Sequence, residues 1–342
     1  MTIHPNEIKW YKSQTVNDSG SNGGPMSATE IPEGVENNVW PDVTEEERSA
    51  GSVKYRKTFI KIENDDDLIL FSPRVFVAFS TNGDDSVVLM AGTQSDTQSQ
   101  ASGYTRFYGT GNLEENLHYG STSLAVMVEP GNGLSGHAIF KNGDLIRVSD
   151  KTSMDAVDGN VEFLRLAANN AVSWNGNLAT LTLASGVTPE YCYRAATTRV
   201  ASVLEGSDIA ASVSDWQESS TIGTYDETKY PVHCNHIGTI EQTWTLTFSS
   251  ATQYTCSGST VGTVGSGAID ATFAPNNPDF NKPYFTLDGG SPPWGGTWTT
   301  GDTLTWTTHP AAIAVWEKRT VPAGANRHSG NKVIVAISGD CA

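Results

Sequence analysis

The sequence is short of charge, of long hydrophobic runs and of clustered cysteine. Charged residues make up 17% of the 342 positions and apolar residues 37%, both low for a soluble chain. No window approaches 18 apolar residues, so no segment reads as a membrane-spanning helix. Leu, Glu and Lys are too sparse for long amphipathic helices. Gly, Thr, Ser, Asn and Ala fill the space, a mixture that suits short strands joined by many turns. The four cysteines, Cys192, Cys234, Cys256 and Cys341, form no Cys-x-x-Cys pair, which argues against a disulfide scaffold or a zinc ribbon. Isolated thiols of this kind suit folding in a reducing cytoplasm. Met1 to Trp10 has no basic region followed by an apolar run, so no signal peptide is expected. Basic residues are also scarce: 21 stand against 38 acidic ones, for a net charge of −17. Such a surface repels DNA and anionic membranes.

What is present begins with a polar lead. "KWYKSQTVNDSGSNGGPMS" (9–27) opens on Trp10 and Tyr11 and then turns to Ser, Asn, Gly and Asp, while Pro25, Pro32 and Pro41 interrupt any regular pattern. Residues 1–50 therefore read as an extended arm. It holds one helical turn within 41–51, with Thr44 as N-cap and Glu45 to Glu47 favoured by the helix dipole. From Ser52 the pattern alternates. Val53, Tyr55, Lys57, Phe59 and Lys61 share one face of a strand, and Lys54, Arg56, Thr58, Ile60 and Ile62 share the other. "LILFSPRVFVAFS" and "SVVLMAG" follow, the second after an "NGDD" turn (82–85) that predicts a hairpin.

Residues 93–120 are polar and Gly-rich and read as a long loop, functional or in contact with a neighbour. Turns at "KNGD", "ANN" and "WNGN" predict successive hairpins, and so a small barrel or sandwich over about 134–186. Residues 187–235 are the least regular, with weak helical spacing in "ASVLEGSDIAASVSDW". At Ile237 the texture becomes Thr-rich and alternating. The predicted organisation is all-β: an arm (1–50), a central β-sandwich or barrel domain (51–232) and a C-terminal Ig-like β-sandwich (233–342).

Few constellations carry chemistry. "HCNH" brings His233, Cys234 and His236 together, but no second ligand pair stands at zinc spacing, so a turn is the simpler reading and no metal is expected. "NDDD" (64–67) and "DGN" (158–160) miss the calcium-loop spacing. "GSTS" and "GLSGH" lack the strand-to-helix context of a nucleophile elbow, and no phosphate-binding glycine loop is present. No catalytic residue and no cofactor is predicted. Of nine tryptophans, Trp294, Trp298, Trp306 and Trp316 crowd the last fifty residues. Trp306 and Trp316 fit a core by their alternation. Trp294 and Trp298 lie among prolines and glycines, where exposed rings would stack on sugar.

Three segments resemble a family of structural proteins in tailed, Mu-like bacteriophages: "IKWYKSQTVNDSGSNGGPMS" (8–27), "GSVKYRKTFIKIEN" (51–64) and the stretch from "FAPNNPDFNKPYFTL" to "AVWEKRTVPAGA" (273–325). The resemblance implies a particle component and no reaction. A non-enzymatic virion protein assembled in the host bacterial cytoplasm is expected, and within the virion a tail-tube subunit. Its partners would be copies of itself and other virion proteins, with Trp10 and Tyr11 as assembly contacts of an arm that orders on a neighbour. Genomic DNA would pass an acidic lumen without specific binding, and no membrane insertion is expected. The rival readings are a capsid decoration protein, which predicts the same composition, and a tail-tip receptor protein that binds host glycans through Trp294 and Trp298.

Overall fold

A computed structural model describes residues 2–193 and 198–341. The chain is nearly all β, in antiparallel sheets. Its first segment runs through β1 (Ile8–Thr15), β2 (Gly23–Glu30), helix α1 (Glu45–Ala50), β3 (Ser52–Ile62), β4 (Leu70–Phe79) and β5 (Ser86–Ala91). The expected cap of α1 is present. The Thr44 hydroxyl accepts from the Glu47 amide at 3.2 Å, and the Glu47 carboxylate accepts from the Thr44 amide at 3.0 Å.

The second segment holds β6 (Thr110–Leu113), β7 (Ser123–Val128), β8 (Leu145–Ser149), β9 (Val161–Arg165), β10 (Val172–Asn175), β11 (Leu178–Thr182), β12 (Arg199–Ser202) and β13 (Leu204–Glu205). Strands β6 to β12 form one sheet in the order β10-β11-β7-β6-β12-β8-β9. Beyond the ends of β9 and β11, Leu166 bridges Leu183, with Ala167 N donating to Thr182 O at 2.9 Å and Ala184 N to Arg165 O at 2.8 Å. These bonds close the sheet into a barrel. Its interior is filled by apolar side chains, among them Leu124, Val126, Ile146, Val148, Leu181 and Val200. The "WNGN" hairpin is where the sequence predicts it: Asn175 faces Leu178 across Gly176, whose φ of 60° belongs to such a turn.

The third segment holds β14 (Ser212–Glu218), β15 (Thr224–Tyr225), β16 (Gln242–Phe248), β17 (Gln253–Gly258), β18 (Gly262–Ala268), β19 (Asn276–Asn277), β20 (Lys282–Pro283), β21 (Trp294–Gly295) and β22 (Thr303–His309). Five of these strands form a sheet in the order β14-β22-β16-β17-β18, and the pairs β15–β21 and β19–β20 are short ribbons. The irregular-looking 187–235 thus contains strands, β14 among them, and no helix within its described residues.

The chain then returns. β23 (Ala312–Val321) inserts between β3 and β5, pairing Ala312 with Lys61 at one end and Val321 with Ser52 at the other. β24 (Ile334–Cys341) pairs with β4. The resulting sheets, β2-β1-β3-β23-β5 and β13-β4-β24, pack face to face over Ile60, Val75, Val77, Leu89, Leu204 and Val315. A sandwich built from both ends of the chain thus carries the barrel and the third unit as insertions.

This topology corrects four expectations. Residues 1–50 are no free arm, because β1 and β2 complete the first sheet. The polar turn 16–22 is a hairpin whose apolar partner surface lies in the same chain. Residues 233–342 are no separate domain: the third unit takes β14 from before that boundary and gives up β23 and β24 to the sandwich. Nor is the third unit a pair of packed sheets. Residues 269–301 are too rich in proline and glycine for long strands, so irregular chain with two ribbons covers the inner face of one sheet. The "NGDD" turn likewise joins the two sheets of the sandwich and closes no hairpin, since β4 and β5 lie in different sheets.

Candidate assembly surfaces and the charge buried beneath them

Strand β1 places Trp10 and Tyr11 on opposite faces of the first sheet. The Trp10 ring packs half-buried against the sandwich core. Tyr11 is buried, with Phe59, Ala314, Met26 and Phe280 around it. Its hydroxyl donates to Glu63 Oε1 at 2.8 Å, and its ring meets Phe280 edge-on at 5.7 Å. Phe280 belongs to the third unit, so Tyr11 fastens one part of the chain to another and is not offered to a neighbour. Lys61 sits in the same joint. Its ammonium lies 3.7 Å from the centre of the Phe280 ring, pairs with Glu63 at 2.8 Å and donates to the Ile237 carbonyl. Burial pulls its pKa down, and Glu63 resists that shift. Around this joint, Asp67 accepts from the His236 amide at 2.7 Å and Asp65 pairs with Lys282 at 2.8 Å.

Trp294 and Trp298 are 4% and 1% exposed. Trp298 stacks on Phe248 at 4.2 Å with the planes 7° apart. Trp294 meets Tyr225 edge-on at 4.8 Å and donates its indole N–H to the Asp288 carbonyl at 2.9 Å. Both rings are spent on the core between the third sheet and its cover, and neither presents a face to a sugar. The expected glycan contact is thereby overturned. The flanking prolines and glycines let the covering chain turn tightly enough to lay these rings on the sheet.

The "HCNH" group does not converge. His233 is exposed beside Asp288, the Cys234 thiol is pushed up to about 12 by burial, and His236 is buried with Nδ1 lacking a partner. Among the described residues, no three His, Cys, Asp or Glu side chains are arranged to hold a metal.

The expected loop over 93–120 is not one loop: residues 110–113 form strand β6 of the barrel, while residues 96–107 pack on the outer face of the first sheet, where Asp96 is 3% exposed. The Asp96 carboxylate pairs with Lys57 at 2.7 Å and accepts from the Tyr104 hydroxyl at 2.7 Å and from the Trp316 indole at 2.9 Å. Burial opposes its charge, but Lys57, Tyr104 and Trp316 outweigh that and hold the carboxyl below its ordinary range. On the opposite face of the sheet, burial pushes the Glu317 carboxyl up to about 7, against hydrogen bonds from Trp40 and Thr58 and the charge of Arg56. The Trp40 indole donates to Glu317 at 3.0 Å, and its ring lies 5.2 Å from the Arg56 guanidinium and 4.8 Å from that of Arg319. Trp40 is therefore the pin that holds the segment between β2 and α1 to the sheet.

These buried charges were half visible in the sequence. The alternation over 52–62 put Lys57 and Lys61 on one face with Tyr55 and Phe59, an odd company for a solvated face. Asp96, the partner of Lys57, lies far along the chain, as do the Ile237 carbonyl and the Phe280 ring that Lys61 meets beyond its neighbour Glu63, and no local pattern links them.

No helix among the described residues is long and apolar enough to cross a membrane. No family model matches the chain, and no curated protein or solved structure matches it.

Proposed function

We propose that the chain is a non-enzymatic structural protein of a tailed-phage virion, a subunit that assembles with copies of itself, and within the virion a subunit of the tail tube. The observation that carries this reading is how the chain uses its chemically able residues. Lys57 with Asp96, Lys61 with Glu63, and Glu317 with Trp40 fasten loops and units to one sheet, which suits a rigid building block. The resemblance of 8–27, 51–64 and 273–325 to virion proteins supports the same reading, and those segments include the strands and the joint that knit the units together. A net charge of −17 suits a lumen along which DNA slides without sticking. The test is the protein content of purified particles of the encoding phage. A tube subunit is present in many copies per particle and stays with isolated tails. Recovery only with tail-free capsids supports the decoration reading, and absence from particles refutes both.

A further inference from the structure

The third sheet has two unlike faces. Inward, β16 and β22 place Trp244, Leu246, Phe248, Leu304 and Trp306 in the core. Outward, they place Thr243, Thr245 and Thr247 directly opposite Thr307, Thr305 and Thr303. β17 continues this outer face with Gln, Thr and Ser at alternate positions. The outward threonines are exposed or half-exposed, and the covering chain lies wholly on the other side. Charge appears only at the rim, in Asp215 on the β14 bulge and in the Glu241–His309 pair at one end.

We infer that this face is a contact between copies of the chain, in which two such sheets pack threonine on threonine. The inference rests on the assembly reading above. Its physical basis is charge. Each copy carries −17, so copies brought together over most of their surface set carboxylate against carboxylate. An uncharged face escapes that repulsion, and a two-fold axis matches it to itself. The hydroxyls are partly satisfied within the sheet already: Thr243 and Thr307 share a hydrogen bond of 3.2 Å, and Thr255 and Ser266 one of 3.3 Å. Packing therefore buries γ-methyl groups, and the hydroxyls of Thr245, Thr247, Thr303 and Thr305 are placed to pair with their counterparts across the contact. Five strands about 4.8 Å apart and seven residues long at about 3.4 Å each give a footprint of about 500 Å². That is below the roughly 800 Å² per partner of a stable pair, so one such contact is weak and reversible, and it gains strength when repeated in an assembly.

The experiment is sedimentation of the full-length protein over a wide range of concentration, with the Thr245→Arg/Thr305→Arg and Thr245→Val/Thr305→Val variants alongside. These two positions face each other at the middle of the sheet and point away from the core. The wild type is expected to gain mass with concentration. The arginine pair should weaken that association at least about a hundredfold in a protein that still unfolds cooperatively, since it sets like charges against each other in a closed contact. Its melting temperature should be lower, because the two arginines also face each other across neighbouring strands. The valine pair should preserve association. If the arginine pair fails to fold, loss of association on adding a single Thr245→Lys substitution to a folded chain serves in its place. A wild type that associates while the folded arginine or lysine variant associates equally well overturns this face and leaves the assembly reading standing. A wild type that stays monomeric throughout overturns both, and leaves the face to a different virion protein.

Discussion

Trp294 and Trp306 occupy one aromatic core, although one lies on a two-residue ribbon among prolines and the other in a seven-residue strand. The sequence set them apart as exposed and buried, and the structure makes them equivalent. Truncating either to alanine should cost about 3–5 kcal/mol in chemical denaturation, as expected for a large aromatic removed from a packed core. A Trp294→Ala protein as stable as the wild type would contradict the packing described here. Glu317 gives a second prediction at this scale. Its carboxyl is raised from an ordinary 4.5 to about 7, so the folded state favours the protonated form. That contribution is complete below pH 4.5 and is lost as the pH rises through 7. Glu317→Gln keeps a neutral acceptor for the Trp40 indole and removes the titration. Its stability relative to wild type should therefore climb by about 3 kcal/mol between pH 4.5 and 8. A difference that does not vary with pH would mean that folding leaves the Glu317 carboxyl at its ordinary value.

Individual strands were legible where one face meets a core and the other meets water. The alternation from Ile237 onward is visible in β16, β17 and β22, and the hairpin at Asn175 is marked by its own turn residues. The N-terminal strands were not legible. β1 carries Lys, Ser and Gln and obtains its partners from β3, a long way along the chain, so no window over 8–30 looks like a strand. β23 was misplaced for the opposite reason. "AIAVWEKRTV" is buried on both sides between β3 and β5, and a strand covered on both faces says nothing about which sheet it joins. Two truncations test these assignments. Removing residues 1–30 strips the outer half of the first sheet from β3 and uncovers Phe59, so a cooperatively folded, fully stable remainder would be inconsistent with it. A fragment of 210–310 contains every strand of the third sheet and should unfold cooperatively. A fragment of 237–342 lacks β14 and β15 and carries three strands without partners, β21, β23 and β24, and should not.

At the scale of the whole molecule, both ends of the chain meet in one sandwich, and the barrel and the third unit hang from it as insertions. Buried ion pairs and the Tyr11–Lys61–Phe280 joint hold the third unit and the long loops to the first sheet. The body so formed carries a net charge of −17 and presents the threonine face of the third sheet to solvent. None of this closure was readable locally, since it depends on pairings such as Lys61 with Ala312 that span most of the chain. The central claim is that this body is a building block that assembles with its own copies. Negative-stain imaging of the purified full-length protein tests it most directly. Rings or hollow tubes of regular diameter are the predicted result, and isolated single particles at every concentration would contradict it.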